Sequence, residues 1–227
     1  MVRVSTHPFR LLALRYGADL VYVEEIIDVK LIETKRIVNE NLGTIDYIGT
    51  DETVVFRTCK EEKDKLVLQL GTSNPETALQ AAMHVQNDVS AIDVNMGCPK
   101  DYSIKGGMGS ALLTRPNRIK EILENLVGNL KIPVTCKIRV LPDINDTIEL
   151  VQMIEKTGVS AIAIHGRLKT DRMTTPCRLE YIKRIKEKCS VPIIAKYRQK
   201  RFAEQSAALA CIIALGIEQT VDCKNVN

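Results

Sequence analysis

The sequence contains no tryptophan, and aromatic residues make up only 4% of it. That excludes a sugar-binding or base-stacking platform built from many rings. No Cys-x-x-Cys pair occurs, and the seven cysteines (59, 98, 136, 177, 189, 211 and 223) are odd in number and irregular in spacing. Neither a disulfide framework nor a zinc site follows from such a pattern, so no metal is expected. Reduced thiols are expected instead, in an intracellular, cytoplasmic protein. No charged-then-apolar leader opens the chain, and the longest apolar stretch, 207–215, falls far short of the about 20 residues that a membrane helix needs. No membrane partner is expected.

What is present is the composition of a soluble protein, 45% hydrophobic and 26% charged over 227 residues. Single-domain barrels commonly run to about 200–250 residues, so one core accounts for the length. The formal net charge of +4 is small, but it is unevenly spread. Between Tyr181 and Arg201 lie eight Lys or Arg residues and one acid, Glu187. Such a stretch is either a solvated helix face or a surface that meets phosphates.

Short apolar runs at 19–25, 66–72, 91–97, 133–140, 161–167 and 191–195 predict strands. Near-continuous hydrophobicity is the pattern of a parallel sheet covered by helices. Helices are predicted between them, at 74–86 with Asn74 as cap and Pro75 at the first turn, at 117–127, at 146–158 from Asp146 to Gly158, and at 178–189. The segment 45–58 predicts an inserted β-hairpin. This rhythm gives an α/β fold, either a TIM-type (β/α)8 barrel or a doubly wound sheet. No G-x-G-x-x-G follows the first strand, as a doubly wound nucleotide binder would show. Polar residues instead end strand after strand: Glu24 and Glu25, Gln69, Asn95 and Cys98, Lys137 and Arg139, His165 and Arg167. In a barrel these ends converge on one mouth, where the active site is built.

Within that set, Gln69 and Lys137 interrupt apolar strands, and a buried amide or ammonium needs partners. Either side chain serves the fold, by a backbone bond or by reaching the rim, or it contacts a ligand with ring heteroatoms or a phosphate. His165 ends a strand before a glycine and carries the same two readings. Cys98 stands in 93-DVNMGCPK-100, where Gly97 permits a turn and Pro99 ends the sheet. Its thiol is delivered above the strand as a nucleophile, a metal ligand or a proton donor. No partner base or ligand set is visible in the spacing, and proton donation needs neither. The following loop, 105-KGGMGSALL-113, is glycine-rich and matches no phosphate-binding fingerprint. Its glycines suggest a mobile segment that closes over substrate, with Ser110 capping a helix.

The strings DVNMGCPK and KGGMGSALL, with VFRTC, LQLGTSNPETAL, VTCKIRVL and AIAIHGR, resemble the tRNA-dihydrouridine synthases, flavin-dependent TIM-barrel enzymes. Within that family the likeness is to the eukaryotic tRNA-dihydrouridine(20) synthase branch, and it covers 1–195. The resemblance implies FMN as cofactor, NADPH as reductant and a tRNA D-loop uridine as substrate. By motif, Cys98 is then the general acid. Met1, Val2, Gln69, Lys137 and His165 contact FMN, and Asn95, Lys105 and Arg139 face the substrate.

Two departures from the family pattern carry expectations of their own. The first barrel strand is reduced to a stub at Met1. After 191-VPIIA-195, where the family continues into an N-G-G phosphate-binding turn, the chain reads KYRQKRFAEQSAALACIIALG. That segment is similar to the last helix of a double-stranded-RNA-binding domain. The expected organisation is an incomplete barrel over 1–195, a lone basic and apolar helix over 196–217, and a tail over 218–227. An internal deletion would produce it. The alternatives that follow are a catalytically silent family member with residual RNA affinity, and an unrelated barrel with a cysteine nucleophile.

Overall fold

The computed structural model describes residues 5–172 and 174–196. Helix α1 (His7–Arg15) precedes two short strands, β1 (Val21–Tyr22) and β2 (Ile26–Ile27), and helix α2 (Asp28–Ile32). Strands β3 (Lys35–Asn39), β4 (Thr44–Ile48) and β5 (Val54–Cys59) follow. Strands and helices then alternate: β6 (Leu66–Gly71), α3 (Pro75–Val85), β7 (Ala91–Met96), α4 (Asp101–Lys105), α5 (Pro116–Asn129), β8 (Val134–Arg139), α6 (Ile144–Glu155), β9 (Ala161–His165), α7 (Leu179–Glu187) and β10 (Ile193–Lys196).

The main sheet is parallel throughout, in the order β1-β6-β7-β8-β9-β10, with β2 also on β6. No strand order reverses, so this is not a doubly wound sheet. It is a curled parallel sheet, an incomplete barrel of the TIM type. Because each crossover returns to the next strand with the same hand, its helices stack on one face. The lone helix expected after residue 196 lies outside the described residues, and Lys196 itself closes β10.

The strands alternate more strictly than the apolar runs suggested. One face carries Leu66, Leu68, Leu70, Ile92, Val94, Met96, Val134, Cys136, Ile138, Ile162 and Ile164, all buried in the core. The opposite face carries the residues between them. Partners in adjacent parallel strands share a face, and the register pairs Gln69 with Asp93, Asn95 with Lys137, and Arg139 with His165. The helices supply the rest of the core from their inward positions, such as Ala78, Ala81, Ala82 and Val85 of α3 and Ile119, Ile122, Leu123 and Leu126 of α5. Asn74 caps α3 as expected, its side chain accepting from the Glu76 and Thr77 amides. Helix α6 begins earlier than predicted, and Asp143, not Asp146, is its cap. The run 19–25 breaks into β1 and β2, and Val23, between them, still donates its amide to Val67.

The expected hairpin is part of a three-stranded antiparallel sheet, β3-β4-β5, because β3 adds to its edge. That sheet is tied to the barrel through Asp88, in the loop between α3 and β7. Arg36 donates two hydrogen bonds to Asp88, at 2.6 and 3.0 Å, and the buried Tyr47 hydroxyl donates a third at 2.6 Å. Tyr47 also stacks on Phe56. Burial alone would push the Asp88 carboxyl up, but the hydrogen bonds from Arg36 and Tyr47 outweigh it and hold it below its ordinary value. A depressed carboxylate stabilises above its unfolded pKa of about 3.9 and loses that contribution as pH falls through the folded one. Asp88→Ala, which leaves the Tyr47 hydroxyl only the longer contact to the His84 carbonyl at 3.3 Å and strips Arg36 of its partner, should cost about 2–3 kcal/mol in urea unfolding near neutral pH. The deficit relative to the parent should shrink in acid.

Candidate active site

The polar face of the sheet is organised around Asp93, which is fully buried in the middle of β7. Its carboxyl accepts from Gln69 Nε2 at 2.7 Å and from Thr135 Oγ1 at 2.7 Å, so it bridges β6, β7 and β8. Burial pushes this carboxyl up, and the hydrogen bonds from Gln69 and Thr135 and the charge of Lys137 only partly oppose that. By holding the Gln69 nitrogen, Asp93 turns Gln69 Oε1 toward the C-terminal strand ends, where Asn95 Nδ2 approaches at 3.4 Å. Asp93 went unnoticed in the sequence because it reads as one polar residue in an apolar run. Its signal is its two-residue spacing from Asn95.

One turn of the face higher, Asn95 fixes the loop that bears the cysteine. Its side-chain Oδ1 accepts from the backbone amides of Gly97 and Cys98, at 3.0 and 3.1 Å. This side-chain turn bends the chain above β7. Gly97 has no positive φ among the described residues, so its expected part in the turn is taken by Asn95. The loop is held from two further sides. Arg139 Nε donates to the Gly97 carbonyl at 2.8 Å, and the Ser110 amide donates to the Cys98 carbonyl at 2.9 Å.

The glycine-rich segment is a support for this loop. Gly109 has φ +58, and a Cβ there would sit 2.6 Å from the Cys98 carbonyl oxygen and 2.4 Å from Ser103 Oγ. Met108, Gly109 and Ser110 are buried, and Ser110 lies inside a short 3-10 helix that its side chain does not cap. From Met108 onward the expected mobile lid is instead a packed buttress, while Lys105 and Gly106 before it are exposed.

The structure brings together most of the residues singled out by sequence. Gln69, Asn95, Lys137, Arg139 and His165 share the polar face, with Cys98 at its upper rim. Cys98, Gln69, Lys137 and Arg139 are half-buried, and His165 is buried. Arg139 gives a second hydrogen bond to the Leu168 carbonyl at 2.8 Å, so two of its donors serve the surrounding loops. Lys105 is exposed at the end of α4 and makes no hydrogen bond or ion pair with this group among the described residues. Met1 and Val2 lie outside the described residues. Sequence reasoning also passed over Tyr102, whose hydroxyl stands 3.9 Å from Cys98 Sγ and donates to Glu25 Oε2 at 3.2 Å. Among the described residues there is no cluster of His, Cys, Asp and Glu able to hold a metal ion, and none of the five described cysteines is paired in a disulfide with another. No described helix is long and apolar enough to cross a membrane.

The raised Asp93 carboxyl has a testable sign. A group whose folded pKa lies above its unfolded one stabilises fully below the unfolded value, about 3.9, and that stabilisation is lost as pH rises through the folded value. The stability of the parent relative to Asp93→Asn should therefore fall as pH rises from about 4 toward neutrality. Paired thermal melts across that range measure it, and a gap that stays constant would contradict the assignment.

Comparison with known proteins gives a consistent family. The profile described as dihydrouridine synthase (Dus) matches residues 1–196. A tRNA-dihydrouridine(20) synthase of Schizosaccharomyces pombe is 43% identical over 197 residues, covering 83% of this chain and 41% of that protein. Its namesake in Saccharomyces cerevisiae is 44% identical over 200 residues, covering 83% of this chain and 52% of that protein. A bacterial relative, tRNA-dihydrouridine synthase B of Shewanella oneidensis, is 32% identical over 199 residues, covering 86% of this chain and 57% of that protein. The chain thus spans about half the length of these relatives.

Proposed function

The chain belongs to the dihydrouridine synthase family, and from that membership we propose that it reduces a D-loop uridine of tRNA to 5,6-dihydrouridine, with bound FMN and with NADPH as reductant. The observation that carries the reading is the placement of Cys98. Its loop is fixed by Asn95 at the rim of a polar sheet face that holds Gln69, Lys137 and His165 in register.

The donors of that face suit a flavin. Gln69, fixed by Asp93, presents an amide oxygen, Lys137 an ammonium group and His165 an imidazole, from β6, β8 and β9 on one face of the sheet. These residues would hold the ring system, and Lys137 would balance negative charge on it in a site poor in water. When bound, the reduced cofactor supplies a hydride to C6 of the uracil. The residues of this chain do the remainder. Cys98 Sγ gives its proton to C5, and the Asn95 amide keeps the thiol loop in place while it does so. Thiol donation fits the surroundings better than nucleophilic attack, because no histidine lies within hydrogen-bond reach of Cys98 among the described residues.

The outer face of α7 supports a nucleic-acid substrate. Lys183, Arg184 and Lys186, with Lys188 just past the end of the helix, are exposed alongside one acid, Glu187, while Ile182 and Ile185 are buried in the core. A row of cations free of core packing is suited to phosphate contacts, and such contacts weaken with salt.

The test uses the chain supplied with FMN, NADPH and unmodified tRNA, with dihydrouridine measured by mass spectrometry. Cys98→Ala should bind flavin as the parent does and form product at least about 100-fold more slowly, the scale of a lost general acid. Equal rates for parent and Cys98→Ala would remove Cys98 from the chemistry. A parent that takes up flavin yet leaves tRNA unchanged would remove the substrate assignment.

A further inference from the structure

Cys98, Tyr102 and Glu25 come from three separate segments: the loop after β7, helix α4, and the link between β1 and β2. Their polar atoms nonetheless form one line, with Cys98 Sγ 3.9 Å from the Tyr102 hydroxyl and that hydroxyl 3.2 Å from Glu25 Oε2. Glu25 packs closely on the end of β6. A Cβ at Gly71 would lie 2.8 Å from Glu25 Oε1 and 2.9 Å from Ile27 Cδ1, so glycine there lets both side chains keep these positions. Oε1 is buried and accepts no hydrogen bond from any described residue. A carboxylate oxygen in that position is poorly stabilised as an anion.

We propose that Tyr102 and Glu25 are positioning residues that form a proton relay to Cys98 and restore its thiol after each reduction, an inference that rests on the function proposed above. In the resting thiol form the Tyr102 O–H bond points at Glu25, as the structure shows. Once Cys98 has given its proton to uracil C5, the thiolate is the stronger acceptor and the hydroxyl turns toward it. The Tyr102 proton passes to Sγ and the Glu25 carboxyl proton passes to the phenolic oxygen. Glu25 is left as a carboxylate, which takes a proton from solvent before the next cycle. No electrons move, and one proton from solvent replaces the one that entered the product. While a bound macromolecule covers the rim, the relay supplies a proton that bulk water cannot.

The local electrostatics agree. Burial pushes the Glu25 carboxyl up, opposed in part by Tyr102, by the neighbouring Asn95 amide and by the Lys137 charge. Burial and the Glu25 charge also push the Tyr102 hydroxyl up, so that it remains a donor. Among the described residues, Arg139 is a cation whose charge acts on the cysteine.

The test is the rate at which iodoacetamide alkylates Cys98 in the full chain, followed by mass spectrometry of the Cys98 peptide between about pH 5 and about pH 9, where thiols and raised carboxyls titrate. It uses neither flavin nor tRNA. Where Glu25 is protonated, Glu25→Gln and the parent should react alike. Above its titration the charged carboxylate holds the Tyr102 O–H and denies it to the thiolate, and Glu25→Gln should react about threefold faster or more, the scale of one modest hydrogen bond. In a Tyr102→Phe background that difference should at least halve. A Glu25→Gln to parent ratio that is the same at every pH would overturn the relay, as would a difference that survives intact without the Tyr102 hydroxyl. If Glu25→Gln does not fold, Tyr102→Phe, which loses one exposed oxygen, decides alone: the acid-side step in the parent's rate profile should vanish, and its persistence overturns the proposal. A positive result in a chain that leaves tRNA unchanged would keep the relay and discard the proposed substrate. Turnover on tRNA with a null alkylation result would do the reverse.

Discussion

Register is the constraint on which this structure depends. Each parallel strand is set against the next so that equivalent positions share a face, and each crossover lays its helix on the same side. One face is thereby given over to Leu, Ile and Val under helices. The other is free to carry groups that an ordinary core would reject. Asp93 illustrates the cost and its remedy. It is a fully buried carboxyl, tolerable because Gln69 and Thr135 hydrogen-bond to it from both neighbouring strands. A slip of one residue in either pairing would put the acid among leucines and the leucines in the site.

The organisation of the site is hierarchical. Asp93 orients Gln69, Gln69 meets Asn95, and Asn95 bends the chain so that Cys98 stands at the rim. Arg139 and Gly109 brace the bend from opposite sides. Rigidity of this kind suits a proton donor, whose usefulness depends on being within a few tenths of an ångström of its target. It also explains why the glycines of the loop are needed. They permit close backbone packing and a positive φ at Gly107 and Gly109, and no hinge follows from them.

Much of this was legible in the sequence. The strand ends from Gln69 to His165 could be read as one mouth, because polar residues in apolar runs are costly and their repetition at the same end is informative. The helices were marked by their spacing and by caps such as Asn74. What escaped notice has physical reasons. Asp93 and Asn95 differ only in their height on one strand, and nothing local tells a buried network from a substrate contact. Glu25 and Tyr102 are 77 residues apart, so their hydrogen bond has no sequence signature. Strand β3 is short and exposed along most of its length, without the apolar stripe that marks a strand. Asp146 looked as good a cap as Asp143, because both carboxylates precede the same helical pattern.

The tie at Asp88 also has a meaning for the order in which the molecule assembles. Arg36 and Asp88 are 52 residues apart, and Tyr47 and Asp88 are 41 apart. The acid sits between a helix and a strand that must already be packed for it to be in place. Closing so long a loop costs entropy that only the docked contacts return. The docking of the antiparallel sheet through this acid therefore presupposes that α3 and β7 have met, which couples the two sheets in assembly although they share no strand.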